Sequence, residues 1–439
     1  MTHEIVTFES GEFEIALVTY NRCEFVAEWL ERCFIQTKIR NISLSIWDSS
    51  TNPDTEEYIK EFNAKEHADI TYYHVSSETS VGYKPIFPLL SVSSKYVWVS
   101  GDSRYHDFNL LDQKIFPYLK QNIDYIVLHA VNNEENDGKI YTDRNEFLRE
   151  CFLSMTCIGL SIFKTSIFEP IKGNSALKKE CDRKYKDNYG FGWMGYFLEI
   201  YALKNYKALF SVIPIINIKS EEKIRSWFKR YYHCWVEDLC NLAEYLSEKY
   251  NHTDIILKDT WKYLTLDRPS ICYDVRRAGD LNSQTFSEYK NNGMFDKVTK
   301  HIDRLERFAN CPIQELDACL EQELELEKKF FEELCCRNFD KVKRLSKGYK
   351  LWIYGAGAGG RISARYFSSH SLSVCGFVDQ SAEKIKSFEG LPVKTIKDLA
   401  SSDCFIFISL FHWAPFVVNS LIAHGIEKDK ILYISLDHM

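Results

Sequence analysis

Between residues 13 and 101, short apolar runs alternate with stretches of helical periodicity, and each run stops at a knot of polar turn residues. Phe13 to Val18 reads as a buried strand closed by the polar turn Thr19 to Arg22. Cys23 to Cys33 then places Phe25, Val26, Trp29, Leu30 and Cys33 on one side of a helix. Ser43 to Trp47 is a second strand, closed by the dense turn signal Asp48 to Asp54, and Thr55 to Asn63 is a second helix. Ile70 to Val75 alternates as a strand, and Tyr96 to Ser100 is another buried one. Few folds accommodate this alternation. It predicts an α/β domain whose mostly parallel sheet is covered by helices.

At 439 residues the chain exceeds one ordinary core, so two or three domains are expected. The pattern divides into an α/β region over 1–220, a helical region over 221–345 and a small α/β region over 346–439. Ile224, Trp227, Phe228, Tyr231, Trp235, Leu239, Leu242 and Leu246 recur at three- and four-residue steps and predict one long amphipathic helix. Its polar face is of mixed sign, which favours core packing over membrane contact. Residues 278–293, polar and containing Gly and Asn, read as a connecting loop. Residues 295–345 are helical again, with an acidic stretch from Glu321 that suits a solvated face. From Tyr349 a strand (Leu351 to Tyr354) leads through the glycine-rich turn Gly355 to Gly360 into a helix (Arg361 to Ser368). Val374 to Val378, Cys404 to Ser409 and Ile431 to Ile434 read as the strands that follow.

The net charge of -7 argues against nucleic acid as a partner, because a phosphate backbone needs a basic face. The most apolar runs, Phe405 to Phe411 and Phe210 to Ile218, fall well short of the roughly 20 residues that span a bilayer. Met1 to Glu4 does not open a secretory signal, and the 14 cysteines show no paired zinc spacing. A cytoplasmic location with reduced thiols is expected, with peripheral contact at the inner face of a membrane left open.

In an open α/β sheet, ligands bind outside the carboxyl ends of the strands. Three such ends are polar here: Thr19 to Arg22, Asp48 to Thr51, and Gly101 to Arg104. A carboxylate at the second accepts hydrogen bonds from a base or ribose. One at the third can hold a divalent cation on a diphosphate, where the cation neutralises the leaving group. Asp48 with Ser49 has a plainer reading as an Asx turn. Its ordered recurrence with Asn21 and Asp102 favours a binding role.

These segments, Ile15 to Arg22, Ile46 to Lys60 and Lys95 to Asp102, resemble family-2 glycosyltransferases, over roughly residues 13–215. The resemblance implies a GT-A fold, a nucleoside-diphosphate sugar as donor (UDP expected), and hexosyl transfer with inversion. It sets Thr19, Asn21 and Arg22 along the nucleotide, with Asp48 and Ser49 at the base. It assigns Asp102 to the acidic motif that binds magnesium or manganese. The family has two or three acidic residues where this chain has Asp102, Ser103 and Arg104. One carboxylate is a poor divalent site. Either Asp102 holds the cation with help from His106 or Asp107, or Arg104 supplies the positive charge without metal, or catalysis has been lost. Inversion needs a base for the acceptor hydroxyl. The family places it after a strand resembling Thr156 to Phe163, and Asp187 is the candidate among Asp182, Asp187 and Glu199. Helix capping is its plainer reading.

Gly355, Gly357 and Gly360, between a strand and a helix and followed by Asp379 at the next strand end, have the context of a dinucleotide fingerprint. Residues 349–436 resemble the small Rossmann-like module of bacterial polysaccharide-assembly proteins, which implies either a second nucleotide or a packing role. The expected function is sugar transfer to a glycan, lipid-linked or protein-linked acceptor. An NAD(P)-dependent sugar-modifying enzyme and a catalytically silent scaffold are the alternatives.

Overall fold

The computed structural model describes residues 5–129, 137–157, 159–201, 205–213, 215–218, 229–250, 268–293, 295, 302–379, 382, 385–399, 403–409, 417–418, 421–422 and 424–433. Those up to Tyr250 belong to one compact unit and those from Arg268 onward to a second. The protein is α/β, with a larger mixed, mostly parallel sheet and a second, smaller one.

In the first unit, strands β1 (Phe13–Thr19), β2 (Ser43–Asp48), β3 (Thr71–His74) and β4 (Tyr96–Gly101) pair in parallel in the order β3-β2-β1-β4. β5 (Arg104–His106), β6 (Tyr125–His129), β7 (Lys139–Tyr141), β8 (Ser161–Lys164), β9 (Ala208–Val212) and β10 (Ile215–Asn217) complete its described strands. β8 pairs antiparallel with both β4 and β6, so the direction of the sheet reverses at β8. β5 and β10 form a separate antiparallel ribbon, Arg104 opposite Asn217. Helices α1 (Cys23–Ile39), α2 (Asp54–Glu66), α3 (Ile86–Ser91) and α4 (Phe108–Lys114) follow the early strands. One buried cluster joins Phe13, Ile15 and Leu17 of β1 to Val26, Trp29, Leu30 and Cys33 of α1 and Ile59 of α2. These are the residues the alternation marks as inward-facing. All four early strands and both early helices fall where the sequence pattern predicts them, each extended by a residue or more except β3, which is shorter.

Beneath α1 the Arg40 guanidinium and Asp112 carboxylate are fully buried against each other. Nε and Nη2 donate to the two Asp112 oxygens at 3.1 and 2.6 Å, and Nη1 donates to the carbonyl and side-chain oxygens of Gln36. The pair ties the end of α1 to α4.

The predicted long amphipathic helix departs from a plain α-helix. His233–Asp238 is a π-helical turn running into the α-helix Leu239–Tyr250, and 219–228 lie outside the described residues, Trp227 and Phe228 with them. Residues 278–293 are not a loop throughout: Ser283–Asn291 is a helix. Asn282 caps it by accepting from the amides of Gln284 and Thr285, while Thr285 Oγ1 accepts from the Asn282 amide. Phe286 is buried and stacks on Phe295, 5.6 Å between ring centroids. A capping box plus one inward aromatic suffices for a two-turn helix in a polar stretch.

In the second unit, β11 (Lys350–Tyr354), β12 (Val374–Val378), β13 (Ser387–Phe388), β14 (Leu391–Lys394), β15 (Cys404–Ile408) and β16 (Ile431–Tyr433) are ordered β13-β14-β12-β11-β15-β16. All pairs but β13·β14 are parallel. The helix Ala358–Ser369 packs on this sheet beside the 30-residue helix Leu316–Leu345, through Phe367, Phe377, Leu334 and Cys335. Among the described residues no helix is long and apolar enough to cross a membrane.

Breaking a buried ion pair from one side strands a charge. Arg40→Met is therefore expected to destabilise the first unit by about 3–5 kcal/mol in urea titration, and Arg40→Met with Asp112→Leu to recover most of that. Equal losses in the single and double variants would show that packing, not charge, dominates.

Candidate functional site

The three ligand-facing strand ends converge on Thr19, the last residue of β1. Its hydroxyl donates to Asp102 Oδ2 at 2.7 Å, drawing in the residue just past β4. Its carbonyl accepts the Ser49 amide at 3.3 Å, from just past β2, and the Lys84 ammonium at 3.0 Å. Arg22 Nη1 donates to Asp102 Oδ1 at 3.3 Å. Asn21 takes a left-handed backbone (φ 50°), which Asn tolerates better than most side chains. That conformation lets its amide donate to Ser50 Oγ at 2.7 Å and its side-chain oxygen accept the Thr51 amide at 2.9 Å. Thr19, Asn21, Arg22, Asp48, Ser49 and Asp102 are thus brought together, as the sequence predicts.

Asp48 is fully buried and its oxygens are engaged. Oδ1 accepts the Ser50 amide at 2.8 Å and hydroxyl at 2.5 Å, and Oδ2 accepts the Tyr72 hydroxyl at 3.0 Å. The Asx turn is present, so the plainer reading of Asp48 coexists with its place at the strand end. Burial, with Asp48 beside it, pushes the Tyr72 phenol up, which keeps it a donor.

Arg104 lies in β5, where its carbonyl accepts Trp29 Nε1 at 3.0 Å. His106 is buried with its ring 5.1 Å from Trp98. Asp107 caps α4 through the Asn109 amide. Among the described residues, no group of three or more His, Cys, Asp or Glu is gathered to hold a metal ion. The donor set at Asp102 is one carboxylate already bonded to a guanidinium and a hydroxyl, which does not match the several oxygens magnesium or manganese takes.

Lys84 is the residue the sequence reading missed. It is 5% exposed, and its Nζ lies 5.3 Å from the Tyr20 ring centre. Burial pulls its pKa down to about 8 against the attraction of Asp102 and Asp48. Burial likewise pushes the Asp102 carboxyl up, opposed by Arg22, Thr19 and Lys84. The available signal was a lone lysine inside the apolar run Tyr83 to Leu90.

A backbone clasp fixes the lysine loop. The Gly82 amide donates to Tyr189 O at 2.6 Å, and the Trp193 amide donates to Gly82 O at 2.7 Å. A Cβ on Gly82 would come within 2.5 Å of Gly190 C and 2.7 Å of Phe191 N, so only glycine fits this approach. Asp238 holds the other side, accepting the Gly190 amide at 3.0 Å. Asp187, the candidate base, is exposed in the turn after the helix Ser175–Tyr185, at the edge of this clasp. Its two rivals are engaged. Asp182 accepts the hydroxyls of Tyr83 and Tyr196 and is paired with Lys178, while Glu199 accepts from Lys184, Tyr185 and Tyr245.

In the second unit, Gly355 has φ 103° and a Cβ on Gly360 would fall 1.9 Å from Gly355 O. Gly357 faces open space. The Ala356 amide donates to Asp379 Oδ2 at 2.8 Å. Gly355 and Gly360 therefore serve the tight turn and close helix packing, and Asp379 is tied to the turn itself.

No family model matches the chain, and no curated protein matches it. Solved structures similar to it include TarS of S. aureus, at 13% identity and TM-score 0.34, covering 67% of this chain. This chain spans 55% of that one, just over half its length. Residues 1–349 of TarS in complex with UDP-GlcNAc show 12% identity and TM-score 0.32, covering 68% of this chain and 91% of the other. The mannosyltransferase PcManGT of Pyrobaculum calidifontis, in complex with GDP-Man and Mn2+, shows 11% identity and TM-score 0.38, covering 72% and 89%.

Burial pushes the Asp238 carboxyl up to about 6, opposed by the Gly190 amide and His233, with Glu237 adding to the rise. The folded state therefore holds this proton more tightly than the unfolded chain. The associated stability is full below the ordinary carboxylate pKa and lost as pH rises through about 6. Asp238→Asn keeps an oxygen for Gly190 and is always neutral. Its thermal midpoint relative to the native chain is expected to rise between pH 4 and pH 7, by on the order of 2 kcal/mol in stability. A difference that stays level with pH would remove Asp238 as a linked group.

Proposed function

We propose that the first unit is an inverting glycosyltransferase. It moves a sugar from a nucleoside-diphosphate sugar, with uridine as the nucleoside, to a hydroxyl of a glycan, lipid-linked or protein-linked acceptor in surface polysaccharide or glycoconjugate synthesis. The observation that carries this reading is the junction at Thr19, where the ends of β1, β2 and β4 share hydrogen bonds, Arg22 donates to Asp102 and Lys84 donates to the Thr19 carbonyl. Asp48, Ser49 and Asn21 are assigned to the nucleoside, and Arg22, Arg104 and Asp102 to the diphosphate. Asp187 is the assigned base. It is exposed, among the described residues it has no partner of the kind that engages Asp182 and Glu199, and it stands next to the aromatic turn Tyr189 to Trp193.

In the proposed reaction the acceptor oxygen bonds to the anomeric carbon as the bond from that carbon to the β-phosphate oxygen breaks. The electron pair leaves on the diphosphate, and the acceptor proton passes to Asp187. The second unit is assigned a packing role: Asp379 Oδ2 accepts the Ala356 amide and so braces the glycine turn.

UDP is expected to raise the thermal midpoint of the native chain, and Asp48→Asn to weaken UDP binding by about tenfold or more. Asp187→Asn is expected to leave UDP affinity intact while slowing sugar transfer on the order of 100- to 10,000-fold. A native chain that responds to no nucleotide would sink the reading and leave a scaffold.

A further inference from the structure

Resting on the nucleotide-sugar reading above, we propose that Lys84 and Arg22, rather than a divalent ion, take up the charge of the leaving diphosphate. The stretch Gly101 to His106 contains one carboxylate, Asp102. Its Oδ2 is occupied by the Thr19 hydroxyl and its Oδ1 by Arg22. Asp48, assigned above to the nucleoside, already accepts from Ser50 on Oδ1 and from Tyr72 on Oδ2. A metal ion at Asp102 would have to displace the guanidinium and find its remaining ligands in water and phosphate alone.

The cations are already in place. The Lys84 ammonium has three N–H donors, and among the described residues Thr19 O takes one of them. A buried ammonium with unused donors is costly unless an anion joins it. Arg22 is near enough to act against the same ammonium, and its side chain is 32% exposed, which leaves part of its fork open beyond Asp102. Lys84 and Arg22 face two carboxylates, Asp102 and Asp48, whose oxygens already accept from Thr19, Arg22, Ser50 and Tyr72, so the donors left over at the end of β1 belong to the two cations. A diphosphate completes that arrangement. As the bond to the anomeric carbon breaks, the electron pair stays on the β-phosphate oxygen, and N–H groups of Lys84 and Arg22 donate to it without giving up a proton. The acceptor proton goes to the base assigned above.

The test is calorimetric titration of the full chain with UDP, and with uridine as the phosphate-free probe, in EDTA and again with manganese. UDP affinity in EDTA is expected to lie within about threefold of that with manganese. Lys84→Met is expected to weaken UDP roughly 10- to 100-fold and leave uridine unchanged, with Lys84→Arg recovering part of the loss. UDP binding that appears only with manganese overturns the proposal while the nucleotide reading stands. Undiminished UDP affinity in Lys84→Met does the same. A native chain that binds neither UDP nor uridine overturns both. If Lys84→Met fails to fold, the comparison of EDTA with manganese on the native chain decides alone.

Discussion

Everything at the ligand-facing edge of the first sheet depends on Thr19. A strand that ended one residue earlier would leave β1 without a hydroxyl at that edge. The Asp102 carboxylate would then lose its shortest bond, and Lys84 would lose the carbonyl that receives it. Threonine suits the task because one residue offers a branched stem that packs in the strand, a hydroxyl that donates, and a backbone carbonyl that accepts. Thr19 is the last β1 residue paired with β2, opposite Asp48, while the pairing with β4 has already ended at Val18, so its carbonyl accepts Lys84 as well as the Ser49 amide. Termination of the strand and assembly of the site are the same event.

This explains how much could be read directly. Strands β1, β2 and β4 were legible because each is an apolar run cut off by polar residues, and the polar residues that cut it off make up the proposed site. Period and punctuation carry both facts at once. The pattern said nothing of Lys84. Its position is set by Gly82 meeting Tyr189 and Trp193, a contact across more than a hundred residues that no local period encodes. The same applies to Asp238, which lies in a π-helical turn. An α-helical reading keeps apolar residues on one stripe and gives no reason to place a carboxylate against Gly190. The helix Ser283–Asn291 was missed for a smaller reason. Its cap residues are also turn residues, and a polar stretch with Asn and Gly reads as a loop until Phe286 is known to be buried.

Charge burial is used in two different ways in the first unit. Arg40 and Asp112 satisfy one another bidentately, with Gln36 taking the spare donor, and nothing remains for a ligand. The cluster at Thr19 is left incomplete: Arg22 is tied to Asp102, while among the described residues the Lys84 ammonium spends one of its three donors, on Thr19 O. A structural pair is complete in the folded chain. A binding cluster is completed by what it binds, and its cost in stability is the expected mark of function.

The two sheets sharpen that distinction, because each carries an aspartate where its second strand ends. Asp48 and Asp379 occupy equivalent points of a strand–helix–strand unit, and sequence spacing treats them alike. Their wiring differs. Asp48 accepts from its own turn and from Tyr72 on the neighbouring strand, so its bonds organise the second strand end and leave the first strand's turn, Thr19 to Arg22, to other partners. Asp379 instead reaches across to the Ala356 amide and pins the first strand's glycine turn. An amide held by a carboxylate is not available to a phosphate, and a negative charge beside the turn opposes one. The same strand-end position therefore braces its own turn in the first sheet and the first strand's glycine turn in the second.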